Sequence, residues 1–85
     1  MIILNEKEYA ENCLSGQQEI DNPYYVLTIL AKYYYFYKEF RNKKIISLLT
    51  DYFEDNYMPY KDHVQEWDAA IEKIAANAGK YPLTM

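Results

Sequence analysis

The single histidine of the chain is the first residue to consider for catalysis or metal binding. His63 follows Asp62 directly and precedes Glu66 by three residues. A metal site or a general base needs further ligands or a nearby nucleophile, and the sequence contains neither a second histidine nor a pair of cysteines. We therefore interpret His63 as a solvated residue in the first turn of a helix.

A lone cysteine and a group of three carboxylates are the other residues with chemical potential. Cys13 has no partner for a disulfide, and its acidic neighbours disfavour the thiolate, so we predict a small, half-buried apolar role for it. Asp51, Glu54 and Asp55 lie on adjacent helical turns, which in principle suits a divalent cation. No glycine-containing loop accompanies them, and we interpret them as a solvated helix face. We predict no enzymatic activity, no metal and no cofactor.

The elements that would position such residues are helical. The chain has 85 residues, of which 51% are hydrophobic and only two are glycine, a composition typical of a packed helical domain. We predict an all-α fold, a small bundle of four helices with one short and three longer members, over residues 1–85 as a single domain. We also expect this domain to be the N-terminal part of a longer polypeptide, because the tail after Lys80 lacks a polar ending.

Helix-capping residues predict where the first two helices begin. Asn5 and Glu8 form a capping box with a Leu4–Tyr9 staple, which predicts a first helix over residues 6–14 that stops before Gly16. Asn22 with Pro23 predicts the start of a second helix that continues to Phe40. At 100° per residue, its inward face comprises Val26, Ile29, Leu30, Tyr33, Tyr37 and Phe40.

Two further helices are predicted in the second half of the chain. We expect Asn42 to cap the third helix, which stops before Pro59. Asp62 and Gln65 form a second capping box, which predicts a last helix to about residue 78 with Gly79 as its C-terminal cap. Its predicted inner face comprises Val64, Trp67, Ile71, Ile74, Ala75 and Ala78.

The tyrosine content is the strongest indication of function. Eleven tyrosines in a chain this short cannot all be buried, because each buried hydroxyl needs a hydrogen-bond partner. Several rings must therefore lie at the surface, either as an amphipathic rim around a small core or as a surface that binds protein. The candidate interface residues are Tyr25, Tyr34, Tyr35 and Phe36, acting on a protein partner or in self-association.

A basic cluster offers an alternative function. Lys38, Arg41, Lys43 and Lys44 lie at the junction of the second and third helices, where they could contact the phosphates of a nucleic acid with Tyr35 stacked on a base. The competing interpretation is that these cations pair with acidic neighbours such as Glu39.

The net charge of −4 opposes nucleic-acid binding by the domain as a whole. The negative charge is concentrated before Pro23, so a second alternative is an acidic inhibitor of a host factor. No secretory signal and no apolar run of about 18 residues is present, and the single cysteine fits a reducing compartment. We therefore predict a cytoplasmic protein without a membrane segment and without a small-molecule substrate.

From Asn22 to Pro82 the order of elements resembles the helical primase C-terminal-like domain of phage and plasmid replication proteins. The matching residues are Leu30 and Ala31, then Leu48 and Leu49, then Pro59, and finally Ile71, Ile74, Ala75 and Ala78 before Tyr81. The resemblance implies a helical accessory domain of a phage or mobile-element protein.

Overall fold

The computed structural model of the protein describes residues 5–84, which form an all-α fold of four helices. These helices are α1 (Glu6–Leu14), α2 (Pro23–Lys32), α3 (Asn42–Asn56) and α4 (Val64–Ala76). A π-helical turn, Tyr33–Tyr37, continues α2, and a 3₁₀ turn, Met58–Asp62, leads from α3 to α4. The predicted fold class is confirmed, and α1 is the shortest of the four helices.

The first helix has the limits that its capping residues predict. The Asn5 side chain accepts a hydrogen bond from the amide of Glu8 at 2.8 Å. Gly16 follows the helix with φ +82°, a left-handed conformation that glycine adopts without steric cost. Leu4 lies outside the described residues, and with it the predicted staple.

α2 is the central helix of the core. The Asn22 side chain accepts a hydrogen bond from the amide of Tyr25 at 3.2 Å, and Pro23 occupies the first turn, as predicted. α2 contacts each of the other three helices. Five of its ten residues are therefore buried: Val26, Leu27, Ile29, Leu30 and Ala31.

The predicted continuation of this helix to Phe40 is wrong. The amide of Lys38 donates to the carbonyl of Tyr33 at 3.2 Å, and the amide of Phe40 donates to the carbonyl of Tyr34 at 2.9 Å. These wider turns interrupt the 3.6-residue period on which the prediction rested. Tyr37, predicted to face the core, is instead exposed, with its ring stacked outside that of Tyr33 at a centroid distance of 5.2 Å.

The N-cap of each later helix lies one residue away from the predicted one. Arg41, not Asn42, is the N-cap of α3, and no side chain caps this helix. Asp62 belongs to the 3₁₀ turn that contains Pro59, so α4 begins only after His63 and the predicted Asp62–Gln65 box does not form.

The last helix ends earlier than predicted. Ala76 is its final residue and Asn77 its C-cap, so Gly79 does not terminate it. Of the predicted inner face, Ile71, Ala75 and Ala78 are buried and Trp67 and Ile74 are half-buried. Val64 is exposed because it lies in the first turn, beyond the edge of the core.

The C-terminal segment packs back onto α1, a contact that the sequence did not predict. Leu83 is buried. The Thr84 hydroxyl accepts a hydrogen bond from the amide of Glu6 at 2.9 Å, and the Thr84 carbonyl accepts one from the amide of Lys7 at 3.0 Å. The Thr84 amide in turn donates to the Glu6 carboxylate at 3.0 Å. Thr84 thus supplies acceptors to amides that the first turn of a helix leaves unpaired.

Candidate functional site

The residues considered for catalysis do not assemble into a site. The Nδ1 atom of His63 lies 3.9 Å from the carboxylate of Glu66, and both side chains are exposed to solvent. Burial raises the pKa of the Cys13 thiol, which favours its unreactive protonated form. Within residues 5–84, no group of three or more histidine, cysteine or acidic side chains is placed to hold a metal ion.

The four residues predicted to form a protein interface do not form one surface. Tyr34 is only 7% exposed and stacks on Phe40 at 5.9 Å, so it belongs to the core. Phe36 is half-buried. Tyr25 and Tyr35 are both exposed, but ten residues of helix separate them, about 15 Å along an α-helical axis. Tyr25 packs edge-on against Tyr9 at 5.2 Å instead.

A different set of rings forms a continuous aromatic surface where α2 and α4 begin and α3 ends. The rings of Tyr24 and Trp67 lie 5.0 Å apart, and those of Tyr57 and Trp67 lie 5.5 Å apart. Trp67 rests on the buried ring of Phe53 at 5.2 Å, which anchors the surface to the core. Tyr24 is 59% exposed and Met58, next to Tyr57, is 75% exposed. We call Tyr24, Tyr57, Met58 and Trp67 the Trp67 face.

An open cleft of about 390 Å³ continues the Trp67 face. It lies between the connector that follows α1 and the 3₁₀ turn. Ile20 lines one side, Tyr57 and Met58 line the other, and the buried residues Cys13 and Tyr52 also contribute to its wall. Gln18, Glu19 and Asn56 also line the cleft, so it offers apolar contacts to an inserted side chain and polar groups to its neighbours.

Acidic residues flank the Trp67 face in the chain. Glu19 lines the cleft, and Asp21 follows it in the same connector. On the α4 side, Glu66 is adjacent to Trp67 in the chain, and all three acidic residues are exposed. The segments that contribute to this face thus carry exposed carboxylates.

The sequence contained a signal for Tyr24 that the choice of interface residues overlooked. At 100° per residue, Tyr24 lies about 160° from Val26, on the face of α2 opposite the core. Trp67 was assigned to the inner face of its helix. Its half-buried position depends on how α4 packs beside Tyr24 and Tyr57, which the periodicity of α4 does not specify.

The basic residues at the α2–α3 junction are all exposed, as predicted. In the described part of the chain, none of Lys38, Arg41, Lys43 and Lys44 forms an ion pair, and Glu39 does not neutralise them. Two of them instead lie over aromatic rings: the Lys38 ammonium is 5.4 Å from the Tyr37 centroid, and that of Lys44 is 5.6 Å from the Phe40 centroid.

Tyr35 stands between two clefts at this junction. One cleft, of about 320 Å³, is lined by Tyr35, Asn42, Gly79 and Lys80, among others. The other, of about 300 Å³, is lined by Tyr35, Glu39, Phe40 and Arg41. The Tyr35 ring approaches Gly79 so closely that a Cβ atom there would lie 2.8 Å from Cζ of the ring. Folding therefore adds Lys80, which the sequence analysis did not select, to the basic cluster.

Comparison of the chain with protein-family models, curated proteins and solved structures gives no match. Within residues 5–84, no helix is both long enough and apolar enough to cross a membrane.

Proposed function

We propose that this chain is a non-enzymatic interaction module that binds a basic amphipathic helix of another protein through the Trp67 face. The observation that carries the proposal is the aromatic group in which the half-buried Trp67 contacts both the exposed Tyr24 and the half-buried Tyr57. The Trp67 face contains none of the residues of the predicted interface, but the proposed function is still protein binding.

The residue types of the Trp67 face are those that contribute most to binding energy. Tyrosine and tryptophan are enriched among the residues that dominate binding energy, because they offer a large contact area with few rotatable bonds. The inner edge of this group is fixed by Phe53, so the rings of the Trp67 face lose little freedom when a partner covers them. Tyr24 and Met58 supply most of the exposed apolar area.

The charge of the neighbouring segments favours a basic partner. Glu19 lines the cleft, and the exposed Asp21 and Glu66 flank the face in the chain, so lysine and arginine beside the apolar anchors of a partner would meet opposite charge. An acidic partner would meet like charge and bind more weakly. A helix with apolar residues at spacings of three and four fits both the rings and the adjoining cleft.

The resemblance favours a phage or mobile-element protein as the biological setting, and the single cysteine favours the cytoplasm. The binding test below does not depend on that setting.

The proposal is tested with Trp67 itself, the only tryptophan and hence a specific fluorescent reporter. Two amphipathic peptides of about 20 residues share one apolar face and differ in carrying lysine and arginine or aspartate and glutamate on the polar face. We expect the basic peptide to shift Trp67 emission to shorter wavelength, and the acidic peptide to leave it unchanged. Tyr24→Ala should raise the Kd for the basic peptide by at least about tenfold, the effect of a hot-spot residue.

Tyr81→Ala is the matched control, because Tyr81 is as exposed as Tyr24 but lies outside the Trp67 face. It should bind the basic peptide as the wild type does. Equal affinity for the two peptides would contradict the proposal. An equal loss of affinity for the basic peptide in Tyr24→Ala and Tyr81→Ala would also contradict it. Sedimentation without peptide adds an independent check, since a dimer abolished by Tyr24→Ala would identify a second copy of the chain as the occupant.

A further inference from the structure

We propose a second binding site, separate from the Trp67 face: the α2–α3 junction binds single-stranded nucleic acid, with a base stacked on Tyr35 and phosphates held by Arg41 and Lys80. The described residues include two lysines with carboxylate partners, Lys7 with Glu11 at 3.2 Å and Lys32 with Glu6 at 2.8 Å. The junction cations have no such partner within the described residues, so their charge is available to an anion.

A nucleic acid differs from a simple anion because it carries bases, and Tyr35 is positioned to stack on a base. Tyr35 is 44% exposed, and it lines both the cleft containing Lys80 and the cleft containing Arg41. An aromatic ring with a cation on each side matches what a single strand presents, a base face flanked by two phosphates.

The ring is also held in place, which reduces the entropic cost of stacking. One side of Tyr35 rests against Gly79, where the absence of a side chain permits the close approach. Phe36 meets the Tyr35 ring edge-on at a centroid distance of 4.9 Å. The ring is thus oriented before a base arrives.

Hydrogen-bonding groups line the same clefts. Asn42 and Asn77 lie in the cleft with Lys80, and their amides offer donors and acceptors to a base edge or a sugar hydroxyl. Glu39, the only carboxylate among the residues that line the two clefts, opposes phosphate binding. Because the chain carries a net charge of −4, we expect weak binding that is detected at low salt.

The experiment measures the fluorescence anisotropy of labelled oligothymidylate of about 12 nucleotides, a length within the range of single-strand binding sites. Parallel titrations use an oligonucleotide duplex and inorganic polyphosphate, which carries charge but no bases. We expect the single strand to bind at low salt, with log Kd rising by about 1.4 per decade of salt for two contacted phosphates. The duplex should bind more weakly, because its bases are unavailable for stacking.

The variants separate the two kinds of contact. Arg41→Gln and Lys80→Gln should each weaken the binding of both the single strand and polyphosphate. Tyr35→Leu should weaken single-strand binding at least about fivefold and leave polyphosphate binding unchanged. Tyr35→Phe should bind the single strand with the wild-type affinity. Lys61→Gln is the matched control, since Lys61 is equally exposed but lies in the 3₁₀ turn and lines neither cleft.

Circular dichroism verifies that each variant is folded, and the exposed Arg41 and Lys80 variants keep the site testable if Tyr35→Leu unfolds. Lack of single-strand binding at low salt would overturn the proposal. Equal affinity for single strand and polyphosphate would reduce the site to a plain anion patch, and tighter duplex binding would exclude base stacking; either result also overturns it. None of these results bears on the Trp67 face, whose peptide titration is independent.

Discussion

Glu39 has an uncommon conformation at the centre of the basic turn. Its φ angle is +58°, the only positive value at a non-glycine residue in the described chain. The left-handed region costs an L-residue about 1–2 kcal/mol relative to a right-handed conformation, and asparagine tolerates it better than most residues. The chain therefore accepts local strain to reverse direction between the π-helical turn and α3, where glycine would have been the simplest choice.

Replacement of this residue should stabilise the protein. We expect Glu39→Asn to raise the free energy of unfolding by about 0.5 kcal/mol, since part of the left-handed penalty is removed. Urea denaturation followed by circular dichroism measures the change. Glu54→Asn makes the same substitution at an exposed position within α3 and should lower stability slightly, because asparagine is the poorer helix former. Equal effects at the two positions would show that Glu39 carries no relievable strain.

The link between α1, α2 and the C-terminal segment operates at the scale of whole elements. The Glu6 carboxylate accepts from the Thr84 amide and also meets the Lys32 ammonium at 2.8 Å. Partial burial by itself raises the pKa of Glu6, but Lys32 and Thr84 outweigh it and hold the pKa below its ordinary value of 4.5. This contribution to stability is present above pH 4.5 and is lost as the pH falls through the lowered pKa.

Removal of the Thr84 hydroxyl tests this link. Thr84→Val keeps the shape of the side chain and removes the acceptor of the Glu6 amide, so we expect a loss of about 1 kcal/mol in the free energy of unfolding, as for a helix N-cap. Thr28→Val is the control. Its hydroxyl donates to the carbonyl of Tyr24 in the preceding turn, an interaction that contributes little to helix stability. A Thr84 variant as stable as the wild type would show that the tail contact does not support α1.

Buried tyrosines make the stability of the whole molecule depend on pH in the alkaline range. Burial raises the pKa of Tyr34 to about 12. The pKa of Tyr60 is also raised to about 12, mainly by its hydrogen bond to Asp68. Burial also raises the pKa of Tyr52, whose hydroxyl donates to the Cys13 carbonyl at 3.3 Å. Each phenol is held protonated by the fold and ionises near pH 10 once the chain unfolds.

The sign of the pH dependence follows from these raised values. The unfolded state releases its phenolic protons first, so this contribution is complete below pH 10 and is lost as the pH rises toward 12. We expect stability to fall over this interval by up to about 1.4 kcal/mol per pH unit for each buried tyrosine. Urea midpoints measured across that interval test the prediction.

Tyr60→Phe provides the decisive comparison for this effect. It removes both an ionising group and the 2.8 Å hydrogen bond to Asp68, so it should be less stable at neutral pH but show a shallower alkaline decline. The exposed Tyr81 serves as the control, because Tyr81→Phe should leave the slope unchanged. If all three proteins lose stability in parallel above pH 10, the buried phenols are not responsible.

The two proposed surfaces differ in the charge of their neighbouring residues. Exposed acidic residues flank the Trp67 face in the chain, whereas the cations at the junction after α2 have no ion-pair partner among residues 5–84. The Cα atoms extend 33 × 27 × 16 Å, so along the shortest axis the molecule is little thicker than one helix packed on another. Much of each helix therefore remains at the surface, which leaves room for two binding regions on a small chain.

Sequence reasoning succeeded where structure depends on neighbours within about four residues. Asn5, Asn22 and Pro23 begin helices by local hydrogen bonds and fixed backbone angles, so α1 and the start of α2 were predicted correctly. The inward placement of Val26, Ile29 and Leu30 follows from the period of the α-helix. The same local logic failed at Tyr37, because the π-helical turn changes that period.

Local sequence was enough to predict four helices, the caps at Asn5 and Asn22, and a tyrosine excess that had to reach the surface. Which rings meet depends on tertiary packing, because Tyr24 and Trp67 lie far apart in the chain and are joined by the packing of α2 beside α4. Tertiary packing likewise brought Lys80 to Tyr35, and Thr84 to Glu6 across 78 residues. Such contacts depend on how helices pack against one another, which the period of any single helix does not encode.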